Sequence, residues 1–197
     1  MFAILLILVV TVSGIWATDY MVILEELYSP CTDGPPESIS LDEAFDLSNL
    51  DAEIAPDGIH VSGNVTTLWS FPRSDRLSAR VNIFHFNRGT WDPTVFSVHT
   101  YDLCTAMFDK NTYCYKTLFQ NTANPDELRD KCLMTKDAII VYNPFIMKLQ
   151  VENIFGPQLH GRYKAVIVIE SFEDMNVKRP TSACFEIRGD VEKIKNT

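Results

Sequence analysis

The chain has 197 residues, 46% of them hydrophobic, and its 26 acidic side chains outweigh 17 basic ones to leave a net charge of −9. A chain of this size fits one domain with a substantial core. The negative balance, with Lys and Arg scattered rather than gathered in a stripe, argues against a nucleic-acid partner and against an electrostatic hold on an anionic membrane surface.

Residues 1–17, MFAILLILVVTVSGIWA, form an apolar run without a charged side chain and end on a small residue before the polar TDY. The run is shorter than the roughly 20 residues needed to cross a bilayer, and the pattern predicts a secretory signal peptide cleaved near Ala17. The protein is therefore expected to be secreted and extracellular, with 18–197 as a single domain. Cys31, Cys104, Cys114, Cys132 and Cys184 then enter an oxidising compartment and become candidates for disulfides, at least one of them left over. None of the cysteines has CxxC spacing, and His60, His85, His99 and His160 are dispersed, so neither a metal nor a cofactor is expected.

DYMVILEELYSPC reads as a short strand leading to Cys31, DGPPES breaks regular structure, and FDLSNLDAEI supplies a second strand. From Ile59 to Phe71 the residues Ile59, Val61, Val65, Trp69 and Phe71 share one face, while His60, Ser62, Asn64 and Thr66 share the other. Pro72 and RSD turn the chain, and Leu77, Ala79, Val81 and Ile83 oppose Arg76, Ser78, Arg80 and Asn82, which predicts a long hairpin with the preceding strand. NRGTWDP makes the next turn, and TVFSVHT continues a β-meander with Phe96 and Val98 on one face.

The period turns helical between Tyr101 and Gln120, and NPDELRDKC predicts a second, short helix with Asn124 as N-cap and Pro125 at its first position. Strands return at AIIVYNPFIMKLQVENI, where Phe145, Met147, Leu149 and Val151 alternate with polar or outward positions. RYKAVIVIES puts Tyr163, Ala165, Ile167 and Ile169 on one side, and TSACFEIRGDV is the last strand. The fold class is mostly β, a β-cup or two-sheet antiparallel sandwich with a short helical insertion.

No GxSxG, HExxH or phosphate-loop motif is present, and acidic pairs such as Glu25–Glu26 read as solvated charge, so an enzyme is not expected. The apolar strand faces have two readings. They close on one another as a packed sandwich core, or they stand apart as the wall of a ligand cavity.

Several motifs in order, among them ELYSPC, VSGNVT, TWDPTVFS, YDLC, LHGRYKAVIVI and CFEIRG, resemble the insect CheB-type chemosensory proteins across nearly the whole mature chain. Those proteins in turn resemble the ganglioside activator protein, a lipid-binding β-cup of the ML lipid-recognition group. The resemblance implies a secreted, non-enzymatic carrier or presenter of a lipid, cuticular hydrocarbon or pheromone-like molecule, with a chemosensory receptor or membrane lipid as further partner. It implies a cavity lined by Val65, Trp69, Phe71, Val81, Ile83, Phe96, Val98, Phe145, Met147, Leu149, Ala165, Ile167, Ile169 and Phe185. It also implies disulfides Cys31–Cys184 and Cys104–Cys132, and leaves open whether Cys114 is free or exchanges with Cys104. The alternative is a secreted protein-interaction module or receptor accessory without a cavity. The NVT signal on the polar strand face predicts a glycan at Asn64.

Overall fold

The computed structural model describes residues 17–156 and 158–194; the predicted signal peptide up to residue 16 lies outside the described residues. The strands are β1 (Thr18–Leu24), β2 (Ser29–Pro30), β3 (Phe45–Asp46), β4 (Leu50–Ala55), β5 (Gly58–Thr67), β6 (Arg76–Asn87), β7 (Thr90–Thr100), β8 (Ile139–Met147), β9 (Gln150–Ile154), β10 (Gly161–Phe172) and β11 (Lys178–Lys193). Helices are short: α1 (Leu41–Ala44), α2 (Leu103–Ala106), α3 (Tyr113–Thr117) and α4 (Pro125–Lys131). The fold is mostly β, its antiparallel sheets curled into a half-barrel.

The larger sheet runs β7-β6-β10-β11-β1-β9, with β2 also paired to β11. The smaller sheet is built on β5, which pairs with β3, β4 and β8. Thus β5 and β6 lie in different sheets, and the hairpin expected between them does not form. Period-two alternation fixes which face a side chain takes, but it does not choose the neighbouring strand. After Thr67 the chain leaves the small sheet because Trp69 is drawn into the core: its indole N–H donates to the Leu133 carbonyl at 2.6 Å, and its ring packs edge-on to Phe45 and Phe71. The meander is therefore confined to β6–β7, joined by a two-residue turn with Arg88 and Gly89 at φ 50° and 90°.

The helical stretch expected over Tyr101–Gln120 is also interrupted. Between α2 and α3 the Asp109 carboxylate accepts the Asn111 backbone N–H, a local turn that competes with helix, and Thr112 starts α3 by accepting the Tyr115 N–H. Pro125 opens α4 directly after Asn124, as the sequence suggests. A core of Val61, Val65, Trp69, Leu103, Met107 and Ile140, among others, joins the small sheet and the helices to one end of the large sheet through Leu77, Ile169 and Ala183.

Candidate functional site

The large sheet has two faces of different character, set by strand register. Ala165 lies opposite Ile83 and Ile187, and Ile167 opposite Val81 and Phe185. Val98 pairs with Val81, and Phe96, two residues earlier, shares its face. The same face carries Ile169, Ala183 and Leu77, which enter the core, so it is the inner, concave one.

Towards the middle of that face the packing stops. Val81, Ile83, Ile167, Phe185 and Ile187 are only half-buried and belong to neither of the two buried clusters. Ala165, opposite Ile83 and Ile187, is half-buried as well. On the opposite, convex face of the same central strand, Val166 and Val168 are 4% and 3% exposed. Strands of a packed sandwich bury their inner face and turn the other to solvent; in β10 the convex face is instead the better covered.

That cover has a physical cause. The segment 29–39 lies across β11 and is fastened to it by Cys31–Cys184, and Gly34 fits so closely that a Cβ there would lie 2.8 Å from the Cys184 sulfur. Beneath it Lys164 and Glu186 are fully buried. The Lys164 ammonium donates to Asp33 at 2.8 Å, Thr32 at 3.2 Å and Glu186 at 3.3 Å, with the rings of Trp91 and Phe84 within 5.4 Å. Glu186 also accepts the backbone N–H and hydroxyl of Thr32, both at 2.8 Å, and two N–H groups of Arg188. Burial pushes the Glu186 carboxyl up, but these donors and the Lys164 charge outweigh it and hold the group below the ordinary carboxylate range.

The residues expected to line a cavity divide into groups. Val65, Trp69 and Ile169 are buried in the core, and Phe71, Phe145, Met147 and Leu149 pack against it. Val81, Ile83, Phe96, Ala165, Ile167 and Phe185 lie together, half-buried, on the concave face, and Val98, on edge strand β7, is 55% exposed. Leu149 also lines a cleft of about 520 Å³ at the seam of β1 and the β4–β5 turn, with Val22, Leu24 and Ile54; Leu24 lies opposite Gly189, itself opposite Tyr163, so the cleft adjoins the β1 side of the concave face.

The sequence reading missed Tyr142, which a register shift opposite Val61 and Gly63 returns to the core face of β8. It also missed the burial of Lys164, for which strand alternation holds no signal, because the cover comes from a segment about 130 residues away.

Both disulfides, Cys31–Cys184 and Cys104–Cys132, are present, which suits an oxidising compartment. Cys114 is free and half-buried, and burial pushes its thiol up to about 11. Asn64 lies on the outward face of β5, opposite Val141. Among the described residues no cluster of three or more His, Cys, Asp or Glu is placed to hold a metal ion, and no helix is long and apolar enough to cross a membrane. No protein-family model matches the chain, and no match to a curated protein is found.

Proposed function

We propose that this is a secreted, non-enzymatic binding protein that carries or presents a hydrophobic ligand, a lipid or pheromone-like molecule, in chemosensation, handing it to a receptor or a membrane lipid surface. The observation that carries the reading is the concave face: bulky apolar side chains on the central strands β6, β10 and β11 that are only half-buried and belong to neither buried cluster. A folded chain gains roughly 25 cal/mol for each Å² of apolar surface removed from water, so such a face favours an apolar occupant. The two disulfides support the secreted part, and the resemblance of the ordered motifs to CheB-type proteins is the ground for the chemosensory part.

The test is to secrete the protein from a eukaryotic host, purify it and extract it with organic solvent. Lipid recovered in near-stoichiometric amount, and lost from a variant with the concave face filled, is the expected result. Protein that yields no lipid and takes up no fluorescent acyl probe would leave an interaction module without a cavity as the better account.

A further inference from the structure

The concave face is not uniform along its length. Its end nearest the helices is closed by Leu77, Ile169 and Ala183 in the core. Its other end, beside the β6–β7 turn, is polar. There His85 pairs with Tyr163, the rings 4.6 Å apart, and His85 is flanked on β7 by Asp92, which is bonded to Asn87 and Thr90. Tyr20, nearly fully buried, reaches the same end from β1 and accepts the Leu159 N–H through its hydroxyl.

Two features make this end a place for a ligand rather than a closed polar network. His85 and Tyr163 are only half-buried, and among the described residues neither ring nitrogen of His85 has a hydrogen-bond partner. The backbone beside them is bare: a Cβ at Gly161 would lie 3.6 Å from the His85 Nε2. The Tyr163 phenol, raised by burial against a hydrogen bond with the His160 backbone that lowers it, is neutral near pH 7 and free to donate its proton.

Taking the concave face as the binding surface, we infer that its ligand is a long-chain amphiphile with one uncharged hydrogen-bonding head group, an alcohol, ester or amide, seated at His85 and Tyr163. The tail runs from there along Ile83, Ala165, Ile167 and Phe185 towards the closed end. From Tyr163 to Ile169 is six residues of β10, a path of about 20 Å at the usual strand rise, long enough for an extended long-chain tail. An anionic head is disfavoured by Asp92 next to His85 and by the net charge of −9. A bare hydrocarbon would strip water from His85 and Tyr163 without replacing its hydrogen bonds, which is costly for polar groups.

The experiment is displacement of bound N-phenylnaphthylamine from the purified protein by hexadecanol, hexadecane and hexadecanoate, three ligands of equal chain length. Hexadecanol is expected to displace the probe at about tenfold lower concentration than the other two, the effect of one or two hydrogen bonds. His85→Phe, which keeps a ring against Tyr163, should reduce the hexadecanol preference over hexadecane to near unity, read as the ratio of the two displacement concentrations on the same variant. Tyr163→Phe serves as the second variant, with a partial loss of preference. Equal displacement by hexadecane, or a preference for hexadecanoate, overturns this inference and leaves the binding surface standing. A wild-type protein that binds neither the probe nor any of the three ligands overturns both.

Discussion

At the scale of single residues, Ala165 separates an open face from a packed one. It is the smallest side chain among Ile83, Ile167, Phe185 and Ile187, and none of these belongs to a buried cluster. In a filled core an Ala→Phe change costs about 1 to 3 kcal/mol or more through overpacking. Ala165→Phe is instead expected to be secreted and to melt within a few degrees of wild type, while acyl-probe uptake falls sharply; a large loss of melting temperature would show that the face is packed. Cys114 supports a second expectation. With its thiol raised to about 11, almost no thiolate exists near neutral pH. Iodoacetamide should label the native protein slowly and the denatured protein readily, and fast labelling of the folded state would contradict its burial.

At the scale of elements, the strands were legible because their side chains alternate, and β6, β10 and β11 lie where Val81, Ile167 and Phe185 place them. Partnership between strands was not legible. Thr67 and Arg76 look like the two arms of a hairpin, yet the burial of Trp69 sends them to different sheets. The concave face could be read as an apolar side, but its incomplete packing depends on the distance between the sheets, which no local pattern records. Tyr142 and Lys164 illustrate the same limit, one through a register shift and one through a distant cover.

The segment 29–39 is the element whose attachment is most exposed to a single change. Cys31–Cys184 spans 153 positions, and on the chain-entropy model its loss removes about 4 to 5 kcal/mol. Cys184→Ser should therefore cut the secreted yield severely, as read by immunoblot of medium against cell lysate; undiminished yield would make the cover dispensable. The outward face of β5 offers its own test, since a glycan on Asn64 would extend away from Val61 and Val65. Endoglycosidase should lower the mass of the secreted protein, and Asn64→Gln should abolish that shift.

At the scale of the whole molecule, buried carboxylates tie stability to pH. Asp75 is held low chiefly by hydrogen bonds from Arg179, against its burial and with help from Ser171, and Glu186 is also held low. A carboxyl with a folded value below its unfolded one stabilises fully above the unfolded value and loses that contribution as pH falls through the folded value. Melting temperature should hence be nearly flat above about pH 5 and fall steeply below about pH 4. Glu186→Gln should lower the plateau and soften the acid slope, and an unchanged profile would remove Glu186 from the account. The pairing of β1 and the 29–39 segment with β11 also has a consequence in time. The first strand waits for the last, so the half-barrel cannot close until nearly the whole chain has been made. Cys104 and Cys132, 28 positions apart, can join early, whereas Cys31 stays unmatched until Cys184 emerges. During that interval Cys114 lacks the burial that raises its thiol in the finished fold.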